Sequence, residues 1–161
     1  MQNLKASEHI EYIDGSLKLV VSDSHTFGTD ALLLAAFSAP KRKNTVCDFG
    51  TGCGIIPFYW LREGVERVHA VEIQDKACDQ LTRSIRLNSI EDRFTLYHSD
   101  LRELKGLAAE GSFDLVSMNP PYTAEGHGII SSSAADKIQP SVILQRVFIF
   151  GKSLQKGPEN L

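Results

Sequence analysis

The sequence predicts an open α/β sheet, doubly wound and mostly parallel, on three observations. Short β-branched or apolar runs alternate with longer segments of helical composition. One run, Val46-Cys47-Asp48-Phe49, passes directly into Gly50, Gly52 and Gly54 at every second position and then into an apolar helical stretch. Strand, glycine loop, helix is how a parallel sheet presents a ligand site at the carboxyl end of a strand. Three later runs end in polar residues, Glu72, Asp100 and Asn119. Right-handed crossovers bring the carboxyl ends of such strands along one edge, so Asp48, Glu72, Asp100 and Asn119 are expected on a common rim.

The elements follow in order. Residues 1–11 are polar and expected to be loosely ordered. Asp14-Gly15 is a turn signal between Tyr12-Ile13 and Leu17-Lys18-Leu19-Val20-Val21, which predicts a hairpin. After a polar loop from Ser22 to Thr26, Thr29 or Asp30 can cap a helix from Ala31 to about Phe37, ended by Pro40. A cap accounts for Asp30 but not for Gly28 just before it. Thr45 to Phe49 reads as a buried strand, and Ile55 to Arg62 as a short helix stopped by Gly64. Val68 to Ile73 is the next strand. Asp75 then caps a helix whose Ala77, Cys78, Leu81 and Ile85 share one apolar face, with Asn88 as its stop. Phe94 to Tyr97 is a third strand, leading to Ser99-Asp100. Leu101 to Ala109 reads as helical, weakened by Gly106, and Phe113 to Met118 is a fourth strand that delivers Asn119.

The bulk properties restrict the function classes. A chain of 161 residues is long enough for one domain with a sizeable core. Its 42% hydrophobic and 23% charged residues are those of an ordinary soluble protein. No apolar run approaches the ~20 residues that span a bilayer, and the polar start Met1-Gln2-Asn3-Leu4-Lys5 is no signal peptide. A cytoplasmic protein without membrane contact is expected. The three cysteines, Cys47, Cys53 and Cys78, lack metal-type spacing and read as small packing residues rather than a disulfide framework. The five histidines are scattered singly, so no metal is assigned. A net charge of −3 sits awkwardly with phosphate contacts, which usually demand a basic face. Lys41-Arg42-Lys43 and the pair Arg83, Arg86 are the local basic clusters, and both read as solvated surface.

The spacing Asp48-x-Gly50-x-Gly52-x-Gly54 is neither the G-x-G-x-x-G of dinucleotide sites nor a phosphate loop, and no Lys follows it. Glycine lets a ligand lie directly against the backbone, although such a turn can also be a plain connection. Glu72, eighteen residues past Gly54, tips the balance. A carboxylate about 20 residues beyond such a loop can accept from both hydroxyls of a ribose, which favours a nucleoside-bearing cofactor. Asp100 can accept from an adenine amino group or cap the segment after it. Asp48 is expected to order the loop and reach the cofactor rather than to act as a base.

With the glycine loop and Glu72, a later Asn119-Pro120-Pro121-Tyr122 resembles the S-adenosylmethionine-dependent methyltransferases of the seven-stranded class, among them the amino methyltransferases. Phe27-Gly28-Thr29-Asp30-Ala31-Leu32-Leu33-Leu34 narrows the likeness. It is similar to the bacterial family that methylates the exocyclic amine of an adenine in the anticodon loop of a valine tRNA. The resemblance runs from about Asp14 to Gly128, and more loosely to Gly157. It implies a Rossmann-like sheet, S-adenosylmethionine as cofactor and a tRNA substrate. It further implies cofactor contacts from Phe27, Gly28, Thr29, Asp30, Asp48, Gly50, Gly52, Gly54, Glu72, Asp100 and Asn119. Catalytic roles fall to Asn119, Pro120 and Tyr122. Two prolines in succession remove two backbone donors, so carbonyls face the site. Asn119 and the Pro120 carbonyl would accept the two hydrogens of the amine, and Tyr122 would stack on the base. Two other readings compete. One is a glutamine-amide methyltransferase of release factors, and the other is a cofactor-binding fragment without turnover.

The C-terminus departs from the family. Gly126 and Gly128 suit a substrate loop, and Ala134 to Ile138 resembles the segment that follows. Gln139-Pro140-Ser141-Val142 then stands where the family usually has Ala-Arg-His-Glu. Ile143, Val147, Phe150 and Leu154 recur at helical spacing, which predicts a helix over about 141–155, with a strand as the alternative. The expected organisation is a single domain over 1–161. Residues 1–26 form an N-terminal hairpin region, 27–130 a cofactor-binding core, and 131–161 a helical tail that ends before the fifth sheet strand. A sheet lacking its last strands would leave the fourth with an exposed edge. The expectation is a marginally stable, aggregation-prone chain that is weakly active or inactive.

Overall fold

The structure is a computed structural model, and it describes residues 4–106, 108–109 and 111–119. Pro120, Tyr122, Gly126, Gly128 and the expected tail all lie outside the described residues. The element order is β1 (Glu8–Ile13), β2 (Leu17–Ser22), α1 (Thr29–Ser38), β3 (Val46–Phe49), α2 (Ile55–Arg62), β4 (Val68–Glu72), α3 (Asp75–Leu87) and β5 (Phe94–His98), then a 3-10 helix (Leu101–Gly106) and β6 (Leu115–Met118).

Four strands form a parallel sheet in the order β5-β4-β3-β6. β3 is buried at all four residues, as a central strand covered on both faces requires. Its alternate side chains divide two apolar clusters. On one side Val46 and Ala70 pack with Ile56, Phe58 and Trp60 of α2 and with Leu81 and Ile85 of α3. On the other, Cys47, Phe49 and Val71 meet Phe113. Leu81 and Ile85 lie on the apolar face that the sequence predicts for α3.

β1 and β2 form a separate antiparallel hairpin. Asp14 and Gly15 both take positive φ, which matches the right-handed twist of the two strands. The sequence expectation of a loose start over residues 1–11 is corrected here. Glu8 to Ile13 pair with β2 along their whole length. Arg83 explains the difference: it donates to both oxygens of Glu8, each at 2.7 Å, and to Asp79. Those bonds hold the Glu8 carboxyl down at about 2. Arg83 is therefore a structural cation and not the solvated surface residue expected.

Further latches fix the hairpin on α3. The Val20 N–H donates to Ser84 Oγ at 2.8 Å. Asn88, which ends α3 as expected, also bonds both the N–H and the C=O of Lys18.

Other boundaries move. Gly28, not Thr29 or Asp30, occupies the N-cap of α1, and Gln74, not Asp75, that of α3; neither makes a side-chain cap bond. Asp30 and Asp75 sit instead in the first turns, where a carboxylate meets the positive end of the helix. The expected helix Leu101 to Ala109 is a 3-10 helix over Leu101–Gly106. α1 is pinned to α2 by Trp60, whose indole Nε1 donates to the Ala35 carbonyl at 3.2 Å and to Ser38 Oγ at 2.9 Å.

Candidate functional site

Parallel pairing aligns the strand ends as the sequence predicts. Asp48 lies level with Ala70 and Ser117, and Glu72 with His98. Asp48, Glu72, Asp100 and Asn119 thus follow one edge of the sheet.

The glycine loop leaves β3 with Gly50, Gly52 and Gly54 at φ +66, +56 and +87, values that glycine adopts without steric cost. Gly54 has a second reason to lack a side chain. A Cβ there would stand 2.5 Å from Leu81 Cδ1, so glycine lets α2 begin tight against α3. The loop is tied to β4 by the Gly50 N–H and Thr51 N–H, which both donate to the Val71 carbonyl.

Glu72 is 4% exposed and holds this end of the site together. Its Oε2 accepts from the Gly52 N–H at 2.8 Å, and its Oε1 accepts from the Ile73 and Gln74 N–H groups, each at 2.8 Å. A carboxylate offers about four lone-pair sites. Three are taken, which leaves one acceptor position on Oε2 where the sequence expectation asked for two ribose hydroxyls.

Asp48 is 1% exposed. Ser117, its partner across the β3–β6 register, donates a hydrogen bond to Oδ1. Burial pushes the Asp48 carboxyl up to about 7, the Glu72 charge adds to this, and the hydroxyls of Ser117 and Thr51 oppose it. Thr51 Oγ1 itself is buried and closes no hydrogen bond of normal geometry. The Ser117–Asp48 hydrogen bond ties β3 to β6 just before the glycine loop begins.

Cys53, inside the loop, is 2% exposed, and burial pushes its thiol up to about 11. It is a packing residue, as are the buried Cys47 and Cys78. Among the described residues no group of three or more His, Cys, Asp or Glu side chains could hold a metal ion. No described helix is long and apolar enough to cross a membrane.

Asp100 caps the segment after it, one of the two roles that the sequence left open. Its Oδ1 accepts from the Arg102 N–H at 2.8 Å, and its Oδ2 pairs with the Arg102 guanidinium.

The Phe27–Asp30 turn closes the rim from the other side. Phe27 packs on the core, whereas Gly28, Thr29 and Asp30 are exposed. Asn119 Nδ2 donates to Asp30 Oδ2 at 2.7 Å across 89 positions of sequence. That bond is the main reason the Asp30 carboxyl lies below its ordinary value. Nothing in the local sequence signals this pair. Of the basic cluster, Arg42 forms an exposed ion pair with Glu66 at 3.1 Å.

Comparison with known proteins agrees with this architecture. The chain is 31% identical over 96 residues to tRNA1(Val) (adenine(37)-N6)-methyltransferase of Parabacteroides distasonis, covering 59% of this chain and 40% of that protein. The protein of the same name from Shewanella loihica is 31% identical over 112 residues, 66% of this chain and 46% of its own length. The chain thus spans less than half the length of these curated relatives. Among solved structures, P. horikoshii TYW2 in complex with MeSAdo superposes with a TM-score of 0.67 at 18% identity, over 92% of this chain and 50% of that one. An S-adenosylmethionine-dependent methyltransferase from Agrobacterium tumefaciens gives 0.54 at 13% identity, over 72% and 40%. These likenesses concern the fold. Residues 16–139 match the methyltransferase small domain, and the chain belongs to that family.

Proposed function

We propose that this chain carries the S-adenosylmethionine site and the substrate-facing amide of an enzyme that methylates the exocyclic amine of an adenine in tRNA. The observation that carries the reading is the parallel pairing of β4, β3 and β6. It sets the glycine loop, hydrogen-bonded to Glu72, on the same rim as Asn119. The name shared by the curated relatives supports the substrate.

The residues fit the cofactor. A Cβ on Gly50 or Gly52 would meet nothing within 4 Å, so the loop has room for a ligand against its backbone. Gly50, Gly52, Gly54 and Glu72 would hold it, with Asp48 supporting the loop, the Phe27–Asp30 turn alongside and Asp100 toward the adenine. Bound there, S-adenosylmethionine supplies an electrophilic methyl group.

The chain's own residues prepare the other reactant. An adenine amine is a poor nucleophile because its lone pair is delocalised into the ring. Asn119 Oδ1 and the Pro120 carbonyl accept its two hydrogens, which lets the nitrogen pyramidalise and turn its lone pair outward. Tyr122 stacks on the extruded base, a contact of ~1–3 kcal/mol. Alignment of the two reactants supplies ~7–11 kcal/mol of the barrier, so no strong base is needed. The nitrogen's bond to the methyl forms as the sulfonium carbon–sulfur bond breaks, and the nitrogen then releases its extra proton to water.

The test is transfer of labelled methyl from S-adenosylmethionine to bulk tRNA and, separately, to a release factor. Label on tRNA that disappears in Asn119→Ala is expected. Label on the release factor instead would install the glutamine-amide reading. Cofactor binding without transfer to either would leave a binding fragment.

A further inference from the structure

We propose that Asp30 is a positioning residue, whose carboxylate fixes the Asn119 side-chain amide in the orientation that offers its oxygen to the substrate. This rests on the proposed role of Asn119, and it gives Asp30 a task on the substrate side rather than the cofactor contact expected from the sequence.

Chemistry sets the orientation. Asn119 meets Asp30 Oδ2 at 2.7 Å, and an ionised carboxylate has no hydrogen to donate. The amide must present Nδ2 there, because the flipped amide would set oxygen against oxygen. Oδ1 is then the atom left for a substrate amine. An amide turned the other way would offer N–H groups to the N–H groups of the amine and could not hold it. The Asn119 bond keeps the Asp30 carboxyl below its ordinary value, and backbone N–H groups at Asp30 and Ala31 act in the same direction. Asp30 is therefore ionised throughout the neutral range.

Two further features point to a built pair. Gly28 has φ −103 and ψ 174, a conformation open to any residue, so backbone geometry does not require glycine. A Cβ at Gly28 would lie 2.4 Å from Asp30 Oδ1, so a side chain there would move the carboxylate away from the position in which it meets Asn119. The helix that carries Asp30 is also anchored, since Trp60 ties the far end of α1 to α2. The pair thus joins a fixed helix to the end of β6.

The experiment uses the full chain, Asp30→Asn and Gly28→Ala, with Asn119→Ala to assign the Asn119 side-chain amide in nitrogen–proton spectra. In the wild type one Asn119 amide proton should be shifted downfield and widely split from its mate. Asp30→Asn should collapse that splitting, and Gly28→Ala should reduce it. Calorimetry should give the same S-adenosylmethionine affinity within about twofold, while kcat for tRNA falls about tenfold or more and KM changes little.

Cofactor affinity that falls in step with kcat would make Asp30 a cofactor ligand and overturn the proposal. So would an Asn119 amide that is already unsplit in the wild type, or full turnover in Asp30→Asn once the splitting is lost. Failure of the functional reading looks different. Asn119→Ala would then keep full transfer, or the wild type would transfer nothing to tRNA, and the amide spectra alone would still decide the Asp30–Asn119 pairing.

Discussion

The two ends of the rim are built in opposite ways. At the β3–β4 end, Asp48 and Glu72 are buried, and Glu72 alone accepts three backbone N–H groups. At the β6 end, Asp30 and Asn119 meet through one solvent-accessible hydrogen bond. The first end cannot be altered without disturbing the fold, because the groups that shape the loop also close the core. The second can be altered almost independently of folding. Stability measured beside binding and turnover therefore separates the two ends.

The largest effect is expected at Asp48. Its carboxyl ionises near the ordinary 3.8 in the unfolded chain and near about 7 in the fold, where burial disfavours the charge. Between those values the folded protein keeps a proton that the unfolded chain has released. The stabilisation is complete below the ordinary value and is lost as the pH rises through about 7. The slope is up to about 1.4 kcal/mol per pH unit. Asp48→Asn should lack this slope. Urea unfolding of both proteins from about pH 4 to about pH 7.5 measures it, and parallel pH profiles would remove Asp48 as the responsible group.

Next comes a contrast within the loop. Gly54→Ala combines φ +87 with a Cβ 2.5 Å from Leu81 Cδ1. Left-handed strain of ~1–2 kcal/mol and overpacking of ~1–3 kcal/mol should together cost about 2–5 kcal/mol. Gly50→Ala, at φ +66 with nothing within 4 Å, should carry the strain alone. Its added methyl instead stands where the cofactor is proposed to lie, so its larger effect should be on S-adenosylmethionine affinity. Equal stability losses at the two positions would mean that Leu81 yields.

Glu72→Ala should show both effects in one residue. Three partly buried backbone donors lose their acceptor. Water admitted by the shortened side chain serves some of them, so the cost with no cofactor present should be ~1–3 kcal/mol rather than three full penalties, and cofactor affinity should fall as well. A variant that binds weakly but unfolds at the wild-type urea midpoint would make Glu72 a ligand only.

The same division explains what the sequence made legible. The strands, the glycine loop and the rim are written in local patterns, β-branched runs and glycines at fixed spacing, and the structure carries all four parallel strands. The three buried thiols were likewise readable from position. What escaped is held by distant partners. Glu8-His9-Ile10-Glu11 looks too polar for a strand, and it is one because β2 pairs with it and Arg83, 75 positions away, neutralises Glu8. The caps of α1 and α3 were misplaced because residues that favour N-caps stand in the first turns instead. A helix cap left Gly28 unexplained and the resemblance gave it a cofactor contact; what no local pattern showed is that a Cβ there would lie 2.4 Å from Asp30 Oδ1.

The smallest stability effect is expected at Asn119, and its smallness is the sharpest test of the contrast. Asn119→Ala removes one hydrogen bond to an exposed carboxylate. Both partners then regain water, so no buried group is left unpaired and the folding cost should stay within about 0.5 kcal/mol. Asp30 loses the partner that lowers its carboxyl, and its ionisation should drift back toward the ordinary value without consequence at neutral pH. Methyl transfer to tRNA should nevertheless vanish, because the amine would lose one of its two acceptors. Cofactor affinity should hold, since Glu72 and the loop are untouched. Urea unfolding, calorimetry and labelled transfer on one preparation decide the matter. A stability loss above about 1 kcal/mol would show that the β6 end is woven into the fold as tightly as the β3–β4 end.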